Sequence, residues 1–165
     1  MDKTIILADL DNSLSNLEKT ITGFIIEGFN RSPSATAWSP AQIVEHLLLL
    51  ERIAMKAING ATIPTNRAAD SKVGLIKWAM EDETKRLAPG IVVPSDTTLN
   101  AQQLIQQIQQ ERQKIKTSIA SADITEACTE FKHPVLGTLT RFEWLYFIIY
   151  HTERHRKQIE RIKKN

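Results

Sequence analysis

Apolar residues recur at steps of three and four along most of this 165-residue chain. That spacing marks one face of a helix with about 3.6 residues per turn, whereas a half-buried strand would alternate every second residue. The first such segment covers residues 4–29, with Ile6, Leu10, Leu14, Leu17, Ile21, Phe24, Ile25 and Phe29 on its stripe. Asn30-Arg31-Ser32-Pro33-Ser34 ends it. The second begins most sharply: Ser39 can cap, Pro40 suits the first helical position, and Gln42 completes a capping box. Ile43, Leu47, Leu50, Ala54 and Ala57 form its stripe, and Gly60 stops it.

A third segment is predicted over 71–87, carried by Val73, Ile76, Met80, Thr84 and Leu87, with Pro89-Gly90 closing it and 91–94 extended. A fourth starts near Thr97 or Thr98 and runs to about Ala120, with Leu104, Ile108, Ile115 and Ile119 facing inward. Its glutamines fall mostly on the wet side. The fifth covers 141–163, where Leu145, Ile148, Thr152, His155, Ile159 and Ile162 make a bundle seam. The turn-rich stretch before it holds Pro134 and Gly137, and Thr140 with Glu143 forms a second capping box. Long amphipathic segments with short joins predict an all-α, up-and-down four-helix bundle with an additional short helix, in one domain over residues 1–165.

Composition narrows the function classes. Hydrophobic residues are 42% and charged residues 24%, which excludes disorder as the main state. Cys128 is the single cysteine, so no internal disulfide forms, and a reducing compartment is expected. A net charge of +2 is too mild to argue for nucleic acid. The C-terminal cations, among them Arg156, Arg161, Lys163 and Lys164, read as a solvated helix end. The apolar runs at 47–50 and 144–150 fall far short of the roughly 18–20 residues of a membrane span. The N-terminal residues lack the pattern of a signal peptide. The expectation is a cytoplasmic protein with neither nucleic acid nor membrane as partner.

The chemistry rests on histidines. His155 lies on the seam of the fifth segment, and His151, four residues earlier, projects from the same face. His46 sits at the edge of the second stripe. A buried imidazole left without a partner costs about 1–3 kcal/mol. A divalent metal would satisfy several at once, since neutral imidazole suits zinc, nickel, copper and iron. A His-x-x-x-His pair with a third histidine from a facing helix leaves a coordination position open, the pattern of reactive rather than structural sites. Hydrogen-bonded core histidines explain the same spacing.

Three stretches carry a resemblance. Trp38-Ser39-Pro40-Ala41-Gln42-Ile43-Val44-Glu45-His46-Leu47 resembles the start of the second helix in the DinB-like superfamily. His133-Pro134, Gly137, Leu139-Thr140 and Glu143-Trp144-Leu145 resemble its entry to the last helix. His151-x-x-Arg154-His155-x-x-Gln158-Ile159 resembles its closing motif. Similarity to the YfiT-like and thiol-transferase branch implies a four-helix bundle and a metal held by His46, His151 and His155. It also implies a divalent transition metal, with zinc and nickel foremost, and homodimerisation.

The same resemblance suggests a small-molecule thiol and an electrophile as substrates. Metal-assisted hydrolysis and a non-catalytic bundle binding metal or a small ligand are the alternatives. Glu45 is next to His46, but adjacent residues on a helix diverge by about 100° and it does not read as a general base. His133, Trp38, Trp144 and Cys128 read as structural, and Arg154 as a solvated surface residue. Unperturbed imidazoles would release a metal as pH falls through about 6.

Overall fold

A computed structural model of the chain describes residues 2–22, 24, 26–82, 84 and 88–164. Four long helices dominate it: α1 (Lys3–Thr22), α3 (Pro40–Asn59), α5 (Ala101–Ser121) and α6 (Arg141–Lys164). Between them lie the one-turn α2 (Ile26–Phe29), the shorter α4 (Val73–Glu81) and a 3-10 turn at Gly90–Val92. Helix α3 packs along α5 and α6, while α1 packs along α6 and α5, so the four close into a bundle. Helix α4 lies against α6. The four-helix bundle with an added short helix is therefore as the periodicity predicts.

The element boundaries follow local chemistry. Ser39 Oγ accepts from Gln42 N, and Gln42 Oε1 accepts from Ser39 N, so the predicted box opens α3, and Pro40 begins the helix. Gly60 follows its last residue. At α6, Glu143 N donates to Thr140 Oγ1 and Thr140 N donates to Glu143 Oε2. Glu143 is fully buried and also receives both arms of the Arg67 guanidinium, at 2.6 Å for the Nη2–Oε2 pair. Gly137 takes a φ of +68°, a left-handed conformation that favours glycine, in the tight turn where His133 and Gly137 exchange backbone hydrogen bonds.

Several predicted boundaries move. The segment expected over 4–29 is two helices, because α1 ends at Thr22 and α2 restarts at Ile26. Gly23, a weak helix former, follows the last residue of α1. Ile25 lies outside the described residues. The third segment ends at Glu81 rather than 87; Asp82 and Thr84 are non-helical, and Leu87 lies outside the described residues. Helix α5 starts three or four residues late. Asn30 explains this: its side chain donates to Leu99 O and accepts from Leu99 N, holding that residue out of the helix, and Asn100 then caps. The stretch expected to be extended at 91–94 begins instead with the 3-10 turn. A two-residue antiparallel pairing, Thr62–Ile63 with Ala127–Cys128, ties the loops at one end of the bundle. Cys128 is buried there, and burial pushes its thiol pKa up to about 11.

The core divides into two apolar clusters. One holds Ile6, Leu10, Ala54, Ile115 and Phe147; the other holds Leu14, Leu17, Leu47, Ile108 and Ile159. Between their positions on each helix lies a polar residue: Ser13, Glu51, Arg112 and Thr152. Arg112 donates from Nε to Glu51 Oε1 at 2.8 Å, from Nη1 to Leu10 O and Ser13 Oγ, and from Nη2 to Thr152 Oγ1 at 2.9 Å. One guanidinium thus touches all of α1, α3 and α6 from α5. Burial raises the Glu51 pKa, and the adjacent Arg112 charge opposes that rise.

Removing one member strands a buried charge, which typically costs about 3–5 kcal/mol. Arg112→Leu should therefore lower unfolding stability by about that amount, read by urea denaturation. The pair Glu51→Met/Arg112→Leu should recover most of the loss, because two apolar residues of similar volume leave no orphaned charge.

Candidate metal centre

The capping box of α3 places His46 on the second turn of that helix, facing inward at 4% exposure. His151 and His155, each 8% exposed, come from successive turns of α6. Because α3 packs against α6, the three rings meet. One nitrogen from each lies within 4.8 Å of the others. His46 Nε2 is 3.4 Å from His151 Nε2, and His155 Nε2 is 3.2 Å from the same atom. All three residues predicted from the sequence therefore share one buried point.

The outer nitrogens settle which tautomers are present. His46 Nδ1 lies 2.7 Å from the Val92 carbonyl. A carbonyl only accepts, so Nδ1 carries the proton and Nε2 presents a lone pair to the centre. His155 Nδ1 donates to Gln158 Oε1 at 2.8 Å, with the same result. His151 Nδ1 is buried without a hydrogen-bond partner among the described residues. Two lone pairs thus point at the third imidazole, and whichever tautomer His151 adopts, one of its nitrogens is buried unsatisfied or shared. Three imidazole nitrogens this close, with too few protons to bridge them, are the donor set a soft-to-borderline divalent cation takes.

The surroundings are apolar. Phe147 stacks on His151 with centroids 5.4 Å apart, and the Trp38 indole is tilted against His46 at 5.0 Å. Burial lowers the pKa of His46, with the Val92 bond opposing. Burial, and then the charges that His155 and His46 would carry, hold His151 well below the ordinary imidazole value. Burial, and then the charge His46 would carry, push His155 down to about 3, with the Gln158 bond opposing. The imidazoles are thus kept neutral, the form that ligates. Competition by protons near pH 6, expected for unperturbed rings, is moved to lower pH by this desolvation.

The remaining residues fall into place around this point. His133 accepts at Nδ1 from Val135 N and Leu136 N and packs its ring on Phe147, so it is a turn-stabilising residue. Burial, then the Lys72 charge, bring its pKa down to about 4. Trp144 is buried among Phe131 and Phe147. Arg154 is not a solvated surface residue: its guanidinium donates to the carbonyls of Met80, Asp82 and Thr84, because α4 ends beside that part of α6. Tyr146 and Tyr150 stack on each other at 5.6 Å. The Val92 carbonyl had no signal in the sequence, since a backbone acceptor in an irregular segment carries none. Gln158 did have one, standing three residues after His155 on the same helical face.

The comparisons with known proteins agree with this picture. A family model described as the DinB superfamily matches residues 9–159, a span that includes all three histidines. The chain belongs to the DinB superfamily. Within it, the uncharacterized protein YuaE of Bacillus subtilis (strain 168) is 27% identical over 149 residues, covering 87% of this chain and 88% of that protein. The crystal structure of TT2238, a four-helix bundle protein, superposes with a TM-score of 0.63 at 17% identity, covering 96% of this chain and 98% of the other. That likeness establishes the shared fold. The buried histidine group of this DinB-superfamily chain can hold a metal ion.

The depressed imidazoles dictate a pH response of the metal-free protein. In the unfolded chain histidines take up protons below about 6.5. In the folded protein His133 does so only near 4 and His155 near 3. The unfolded state then binds more protons, so stability should be flat above about pH 6.5 and fall below it, by about 1.4 kcal/mol per pH unit for each such proton. The ring proton shifts of His133 and His155 in the folded protein should stay constant from about pH 8 to 5.5. His133→Asn, whose Oδ1 can take the same two N–H groups, should flatten the denaturation slope by about one proton between about pH 6.5 and 5.

Proposed function

We propose that His46, His151 and His155 hold a divalent transition metal, zinc or nickel, through their Nε2 atoms. The proposed activity is transfer of a low-molecular-weight thiol to an electrophile. The observation that carries the metal reading is the convergence of three buried, neutral imidazoles, two of them fixed with their lone pairs inward by Val92 and Gln158. Three protein ligands leave a position for an exogenous group. When bound, such an ion supplies Lewis acidity that lowers the pKa of a thiol from its free value of about 8.5. The chain itself supplies a dry wall of Phe147 and Trp38 around the ligating nitrogens, which keeps water from competing. In the overall transfer the sulfur forms a bond to the electrophilic carbon, the thiol proton passes to solvent, and any leaving group departs with its electron pair.

Hydrolysis ranks second because it calls for a positioned base. The nearest carboxylate in sequence, Glu45, accepts from Ser95 N at 2.7 Å and from Ser95 Oγ, so it is engaged elsewhere.

Metal-free protein should take up close to one equivalent of nickel or zinc in calorimetry. His151→Ala or His155→Ala should weaken uptake by more than the roughly 10–100-fold that changes to supporting residues cost, with helical circular dichroism retained. The metal-loaded protein should consume a small thiol in the presence of a generic electrophile, and the alanine variants should not. Uptake without thiol consumption would leave a binding protein or hydrolase; unchanged affinity in both variants would remove the histidine site.

A further inference from the structure

We infer that Glu45 is a positioning residue for the metal centre: by clamping Ser95 it presses the Val92 carbonyl onto His46 Nδ1 and so fixes the tautomer in which His46 Nε2 is free to ligate. The inference rests on the metal-binding reading above and assigns Glu45 a place in it.

The geometry is a grip by one side of α3 on the irregular segment that follows the 3-10 turn. Gln42 lies three residues before Glu45 and four before His46, so it neighbours both on the helix surface. Gln42 Nε2 donates to Ser95 O and to Asp96 Oδ1, each at 3.1 Å. Glu45 Oε2 accepts from Ser95 N at 2.7 Å and from Ser95 Oγ at 2.9 Å, and Oε1 accepts from the same hydroxyl at 3.2 Å. His46 Nδ1 donates to Val92 O at 2.7 Å. Val92 and Pro94 turn inward while Ile91 and Val93 are exposed, so the segment has a shallow apolar hold of its own. Two charge-assisted anchors tie it to α3, the Glu45 carboxylate on Ser95 and Gln42 Nε2 on the Asp96 carboxylate. Glu45 makes the shorter bonds and takes both the N–H and the hydroxyl of Ser95, and such bonds are about twice as strong as neutral ones.

The consequence is chemical. Free neutral histidine favours the tautomer protonated at Nε2, which would point a proton, not a lone pair, at the centre. A hydrogen bond from Nδ1 to a backbone carbonyl reverses that preference and orients the ring. Val92 belongs to a segment outside the bundle, so the carbonyl stays in place only while the segment is held. His155 provides an internal control, because its Nδ1 is held by Gln158 from the same helix and does not depend on the clamp.

The test uses the full chain, metal-free and 15N-labelled, at about pH 7.5, above the free imidazole pKa of about 6.5. In the parent protein the histidine 15N shifts should show His46 as a single Nδ1–H tautomer. In Glu45→Ala, His46 should become a mixture with the Nε2–H form, while His155 stays unchanged. Nickel affinity should fall about tenfold or more. Ser95→Ala, which removes the hydroxyl arm and keeps the N–H arm, should shift both readouts the same way by less, and serves if Glu45→Ala folds poorly. A single unchanged His46 tautomer in both variants overturns the inference, as does an equal change at His155, which would mean general loosening. If the parent chain takes up no nickel, the metal reading fails, and the His46 tautomer alone then decides the clamp.

Discussion

One guanidinium joins the four long helices. Arg112, almost wholly buried, reaches Glu51 on α3, Leu10 and Ser13 on α1 and Thr152 on α6. Apolar packing alone is tolerant of sliding, because neighbouring stripes of Leu and Ile offer similar contacts at several offsets. A buried charge is not tolerant, since any offset that breaks its bonds leaves it unpaired. The layer therefore sets the register of α3 against α6. Thr152 stands between His151 and His155, and Glu51 lies little more than a turn beyond His46. The same register that satisfies Arg112 brings His46 opposite the other two histidines.

The candidate metal centre is built from both regular and irregular parts of the molecule. Helices α3 and α6 supply the three rings, and their burial keeps those rings neutral. The proton positions on two of them come from supporting acceptors, Gln158 on α6 itself and the Val92 carbonyl in the segment outside the four long helices. The bundle sets where the nitrogens are. The supporting hydrogen bonds set whether they arrive as acceptors, which is the condition for ligation.

Much of this was legible before any coordinates. The helical stripes, both capping boxes and the three histidines are properties of short stretches whose chemistry is local. The misreadings share a cause. Helix α5 begins late because Asn30, distant in sequence, holds Leu99. Arg154 is engaged because the end of α4 happens to lie beside it. Arg112 and Glu51 pair across the bundle, and nothing near either in sequence announces the other.

The sequence by itself determined that this is a helical bundle of the DinB superfamily and that two imidazoles share one face of its last helix. The bundle and the shared face follow from periodicity and spacing, which act over a turn or two of chain, and the family follows from its motifs and the matching family model. Which helices adjoin, that His46 meets His151 and His155, and which nitrogen of each ring faces inward were decided only by tertiary structure. Those outcomes depend on contacts between residues dozens of positions apart, where burial and hydrogen-bond satisfaction, rather than local preference, select the arrangement.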